Sequence, residues 1–154
     1  MKKVLFSFLL TGVAMAAPSK ALISKHSGGG FMAPEYAGFE RCEVFADKVV
    51  LTHQYGMQQA TALTLTEERK VALTGDVKKV IELAKAEAVE EKENMLCDGP
   101  STSITAGGEA DPVLLFTTGG CGSPRKQRNG VYSNKLRSIA DIYCPNTFDF
   151  SQGE

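Results

Sequence analysis

The sequence predicts an α+β fold: mostly antiparallel sheet packed by one long helix, with a short C-terminal helix and two disulfides. Three observations carry this expectation. Apolar and polar residues alternate along Lys48–Tyr55, as in a half-buried strand. Val77, Val80, Ile81, Ala84 and Ala88 recur at helical spacing. Four cysteines stand in a chain that opens on a leader-like segment, which points to an oxidising compartment.

The leader reading covers residues 1–16. Met1-Lys2-Lys3 is positive, Val4–Val13 is apolar apart from Ser7 and Thr11, and Ala14-Met15-Ala16 offers small residues to a signal peptidase. Cleavage is placed after Ala16, because a cut after Ala17 would leave Pro18 behind the scissile bond. The apolar run falls far short of the ~20 residues needed to span a bilayer. No cysteine follows it to carry a lipid. Removal of 16 residues leaves 138 of 154, enough for one domain with a core. Loss of Lys2 and Lys3 leaves 15 basic against 18 acidic residues, a net charge of −3. That balance argues against nucleic-acid binding, which needs a strong positive field.

Residues 17–37 read as a flexible tether, with Pro18, Gly28-Gly29-Gly30 and Pro34 and no sustained period. A single α+β domain is expected over 38–145. Phe39–Ala46 and Lys48–Tyr55 read as strands around Ala46-Asp47-Lys48. Thr61–Thr66 and Val71–Thr74 read as a second hairpin with Glu67-Glu-Arg-Lys70 at its tip. A helix from about Val77 to Met95 follows, with Asp76 as N-cap. Its apolar face is expected to pack on the sheet, at roughly 1.5–3 kcal/mol for each large side chain buried. Asp98-Gly99-Pro100 ends it. Strands over Ser101–Gly107 and Val113–Thr118 come next, then a bend at Gly119-Gly120-Cys121-Gly122. Ser133 is expected to cap a final helix with Leu136, Ile139, Ala140 and Tyr143 on one face. Residues 146–154 read as a tail.

The long, irregular cysteine spacings contain no CxxC, so zinc and thioredoxin-like chemistry have no support. Three disulfide connectivities are open. Cys97–Cys121 with Cys42–Cys144 is favoured, the first clipping a helix end to the following hairpin, the second tying the first strand to the last helix. Each would contribute roughly 3–5 kcal/mol in the chain-entropy model.

Candidate chemistry is sparse. His26 falls in the expected tether, where it lacks the fixed geometry a general base needs. His53 alternates with Leu51 and Tyr55 and reads as a half-buried strand histidine. Its functional reading is the base of a hydrolase, but no Gly-x-Ser-x-Gly elbow is present. No catalytic residue is assigned, and no metal or cofactor motif occurs. The loop Cys121–Gly130 is more distinctive. It sets Arg125, Lys126 and Arg128 behind a proline and beside a cysteine, as a substrate-like inhibitor of trypsin-type proteases would, or a docking loop for an anionic partner.

Asp98-Gly-Pro-Ser-Thr102, Val113-Leu-Leu-Phe-Thr-Thr-Gly-Gly120 and Leu136-Arg-Ser-Ile-Ala-Asp-Ile-Tyr-Cys144 together resemble a layout found in small exported bacterial proteins of unassigned function. The resemblance covers roughly residues 39–145. It implies a cysteine in the first strand paired with one after the last helix, hence Cys42–Cys144, with Cys97 and Cys121 as additions. It brings no activity and no site residues. The sequence therefore points to an exported, non-enzymatic binding module acting on an unknown protein partner. A protease inhibitor using Arg125 or Lys126 is the alternative, and a hydrolase using His53 the third reading.

Overall fold

The structure, a computed structural model, describes residues 20–28, 38–55, 63–73, 75–93, 101–118 and 123–145. The first strand, β1 (Ile23–Gly28), lies inside the stretch expected to be a tether. It is followed by β2 (Gly38–Val44), β3 (Lys48–Tyr55), β4 (Leu63–Lys70) and α1 (Val77–Lys85). Then come β5 (Val89–Lys92), β6 (Ser101–Ala106), β7 (Val113–Thr117), β8 (Arg125–Arg128) and α2 (Val131–Tyr143). The strands form one eight-stranded sheet in the order β4-β3-β2-β1-β6-β7-β8-β5. Every pairing in it is antiparallel.

This sheet is two sequential meanders joined along one seam. The β1–β4 strands make the first, β6–β8 with β5 the second, and the β1–β6 pairing, with Ser24 opposite Thr105, is the seam. α2 packs across it on β1, β6 and β7, and α1 packs on α2 and β7. The buried core lies between these helices and one face of the sheet. Ile23, Val44, Val49, Ile104 and Leu115 come from the strands; Ile81, Ala84, Leu136 and Ala140 come from the helices.

β1 escaped the sequence reading because its inward positions are Ile23, Lys25 and Ser27, only one of them apolar. Lys25 is buried all the same. Its ammonium donates to the Cys144 carbonyl at 2.8 Å, at the C-terminal end of α2, where a cation is favoured by the exposed carbonyls. Asp141 lies 3.9 Å away. Burial pulls the Lys25 pKa below its ordinary value, and the charges of Asp141 and Glu40 oppose that only in part. Beside it, Cys42 and Cys144 form a disulfide that ties β2 in the first meander to α2 in the second.

The expected fold, a sheet packed by one long helix with a short C-terminal helix and two disulfides, is corrected in its helices. The described residues contain one disulfide; Cys97 and Cys121 lie outside them. Neither helix is long, and α2, with 13 residues, exceeds α1, with 9. Helix α1 begins as read, with Asp76 Oδ1 accepting from the Lys79 amide at 3.1 Å. It stops at Lys85, where a group from elsewhere takes over its C-terminal end. The Arg128 guanidinium donates to the carbonyls of Lys85, at 3.0 Å, and of Glu87. Beyond Ala84 the chain offers no large apolar side chain before Val89, so nothing holds a further helical turn to the core. Val89–Lys92 instead pairs with β8 as a short, charged, exposed edge strand, the kind that resists edge-to-edge association.

Glu87 explains the start of α2. Its carboxylate accepts from the Tyr132 amide at 2.9 Å and from the Ser133 amide at 2.8 Å, and from the Ser133 hydroxyl. Ser133 is thus buried inside the first turn rather than serving as N-cap; the cap position is Gly130, which has no side chain to offer. A Cβ at Gly130 would collide with the Glu87 carboxyl group, so the glycine makes room for a cap supplied from 43 residues earlier in the chain. Burial would raise the Glu87 pKa; the hydrogen bonds from Ser133 and Tyr132, with the charge of Arg128, outweigh it and hold the pKa below the usual carboxylate value.

The second expected hairpin is also different. β4 runs unbroken through Glu67–Lys70 along β3, with Leu51 opposite Glu67 and Lys48 opposite Lys70. An edge strand wet on both faces accepts these charges, and they pair locally: Arg69 with Glu67 at 2.8 Å and Lys48 with Glu68 at 3.0 Å.

Candidate functional site

The sheet offers one groove worth building from its residues. β1 ends at Gly28, which lies in register between Phe39 of β2 and Ser101 of β6. Here the strand ends enclose a groove of about 730 Å³, lined by His26, Ser27, Phe39, Glu40, Ser101, Thr102, Ser103, Thr117, Ser123 and Lys126 among others. Neighbouring side chains in a strand point to opposite faces, so Phe39 lies on the open face of β2 and Glu40 on the face of Cys42 and Val44. The groove therefore wraps the end of the sheet. Phe39 is 44% exposed.

Its hydrogen-bonding inventory is mostly hydroxyl. Ser27 Oγ and Thr102 Oγ1 are 3.3 Å apart across the seam. The Thr102 amide donates to Thr118 Oγ1 at 2.9 Å. Ser101, Ser103 and Ser123 make no side-chain hydrogen bond to another described residue. The charged groups, by contrast, already have partners. Lys126 Nζ meets Glu91 at 2.6 Å, and Glu40 Oε1 lies 2.9 Å from His53 Nδ1. Burial, helped by the Arg41 guanidinium, lowers the His26 pKa and so favours the neutral imidazole, despite Glu43 and Glu109 nearby.

The register also decides what His53 can do. Ser27, Glu40 and His53 stand directly opposite one another on β1, β2 and β3. The imidazole and carboxylate side chains are 15% and 12% exposed. A serine hydrolase needs the histidine between hydroxyl and carboxylate. Here the carboxylate is in the middle, and Ser27 and His53 are two strand spacings, about 10 Å, apart. This row can hold a carboxylate in place; it cannot relay a proton from Ser27 to His53.

The basic residues singled out in the sequence occupy no free loop. Arg125, Lys126 and Arg128 form β8, hydrogen-bonded to β7 on one side and β5 on the other. Arg125 stacks over the Phe116 ring, 5.0 Å from its centroid. Arg128 Nε donates to the Leu114 carbonyl at 3.0 Å, and its Nη1 holds the end of α1. Lys126 alone of the three lines the groove. A substrate-like inhibitor presents its basic residue from a convex, unpaired segment, which residues 125–128 are not. Cys121, expected to brace them, lies outside the described residues.

Sequence reasoning singled out neither Phe39 nor Glu40 nor the serines as site residues. They come from β1, β2 and β6, and no local pattern announces a row made by strand register. A second pocket, of about 490 Å³, lies near Lys20, Ser24, Glu43 and Glu109. Its two carboxylates share Arg41, which bridges Glu43 at 2.7 Å and Glu109 at 3.1 Å. Among the described residues no cluster of His, Cys, Asp or Glu could hold a metal ion. Scans against protein-family models, curated proteins and solved structures found no match to this chain.

Proposed function

We propose that this chain is an exported, non-enzymatic binding module whose contact surface is the groove at the Gly28 end of the sheet. Export is supported by the leader-like residues 1–16 and by the Cys42–Cys144 disulfide, a bond that persists in oxidising compartments. No described helix is long and apolar enough to cross a membrane. One observation carries the binding reading: the groove is rich in hydroxyls and has an exposed aromatic ring, yet neither of its in-register serine and histidine pairs is ordered as a triad, Glu40 standing between Ser27 and His53, and His26, opposite Ser103, facing Arg41 rather than a carboxylate on its other side. Such a site recognises a ligand without activating a nucleophile.

The test is differential capture. Immobilised mature protein and its Phe39→Glu variant are exposed to extracts of the native source. Material held by the first and released by the second supports the reading; identical retention, or none, ends it. Mass spectrometry of native protein checks export, with loss of residues 1–16 expected. The pairing of β8 on both sides weighs against the inhibitor alternative. Mature protein is expected to leave the rate of trypsin unchanged.

A further inference from the structure

We propose that the groove at the Gly28 end binds a neutral, polyhydroxylated chain, a glycan segment of a few sugar rings. Phe39 is the stacking platform; the hydroxyls of Ser101 and Ser103 and the Glu40 carboxylate are the hydrogen-bond partners. This deepens the binding reading above and rests on it.

Three properties of the groove select this ligand class. The first is charge. Lys126 Nζ already meets Glu91 and Glu40 already meets His53, so an ionic ligand would have to displace a partner already in place. A neutral ligand meets no such cost. The second is the kind of contact available. A protein partner is usually anchored by several aromatic and aliphatic side chains in a desolvated centre. Here Phe39 is the one aromatic side chain among the described lining residues, surrounded by hydroxyls. Sugar rings suit that mixture: their C–H faces cover an aromatic ring, whose face carries partial negative charge, while their hydroxyls both donate and accept at the rim. The third is size. About 730 Å³ falls within the range of sites that enclose small ligands.

Glu40 has a defined part in this. An ionised carboxylate only accepts hydrogen bonds, and two ligand hydroxyls on one carboxylate make stronger bonds than neutral partners would. His53, bound to Oε1, fixes the carboxylate where it lines the groove.

The experiment uses the full mature chain. It contains no tryptophan, so binding is followed by backbone amide shifts and by calorimetry rather than by intrinsic tryptophan fluorescence. The probes are cello-, chito- and malto-oligosaccharides of four to six sugars, an acidic oligogalacturonate, and a mixture of unstructured peptides. At least one neutral oligosaccharide is expected to shift the amides of Phe39, Glu40 and Ser101–Ser103. Its affinity should be unchanged between low and high salt, since no net charge is brought together. Phe39→Ala should weaken it about tenfold or more; the exposed ring can be removed without opening the core, and an unchanged Tm verifies that. Ser103→Ala, a milder change, should weaken it severalfold. If only the oligogalacturonate or the peptides bind, and Phe39→Ala abolishes that, the glycan assignment falls and the binding module stands. If no probe binds and no captured material depends on Phe39, both fall. Neutral oligosaccharide binding that is equal in wild type and Phe39→Ala also overturns the proposal, because the contact is then elsewhere.

Discussion

β1 and β4 show opposite relations between sequence and environment. β4 carries the better strand pattern, Leu-Thr-Leu-Thr, yet its described side chains are all exposed and it forms an edge. β1 carries a lysine where a core strand should be apolar, yet it lies between β2 and β6 with Ile23 fully buried. The difference is what covers each strand. Over β1 lies α2, whose terminal carbonyl gives Lys25 a partner and whose Cys144 is bonded to the neighbouring strand. Among the described residues neither helix covers β4, whose side chains from Thr64 to Lys70 are all exposed. Burial in this molecule follows the cover, not the local alternation, and polar inward residues survive where the cover supplies their partner.

The largest expected effect comes from removing the link that fixes this cover. Cys42→Ala with Cys144→Ala should cost about 4–5 kcal/mol of unfolding free energy, as for any loop of this length in the chain-entropy model. Denaturant unfolding of the double variant measures it. A loss below about 1 kcal/mol would mean that α2 holds the seam without the covalent bond. Next in size, Ile23→Ala in β1 should cost about 2–5 kcal/mol. Leu65→Ala in β4, where the side chain is 49% exposed, should cost less than about 0.5 kcal/mol. Equal losses at the two positions would break the comparison.

How much of this was legible in the sequence follows from the same contrast. β2, β3 and the start of α1 were readable, because alternation, helical spacing and the Asp76 cap are local signals. β1 was not, because its single apolar inward residue makes no period. The end of α1 was hidden as well: Arg128 acts on it from across the fold, and Glu87 is turned away to cap α2, whereas the local spacing alone continues the helix to Met95. The basic stretch read as a loop because nothing in Arg-Lys-Gln-Arg shows that two strands flank it. The groove was the least legible of all. Ser27, Glu40 and His53 are neighbours only through register, and register is set by hairpins whose lengths a residue-by-residue reading leaves open.

A smaller effect sharpens the account of Lys25. Its folded pKa lies below the ordinary 10.5. Between those two values the unfolded chain holds the extra proton, so unfolding free energy rises with pH across that window. Subtracting the profile of Lys25→Met from that of the wild type between pH 8 and 11 should leave an upward slope. A flat or falling difference would mean the ammonium is no worse off in the fold than in water. Smallest of all is a difference without any substitution. Amides of β1 should exchange hydrogen with the slowest in the molecule, and those on the free edge of β4 with the fastest. Similar protection in both would show that the uncovered arm is held as firmly as the centre.

The bridge from Cys42 to Cys144 also separates two meanings of wholeness. Gly75, exposed and in a left-handed conformation at φ +84°, connects the first meander to everything after it. A protease that clips the backbone there would leave two polypeptides, yet the sulfur bond would keep them one particle. The damage would surface only when a reductant and a denaturant together set the pieces free.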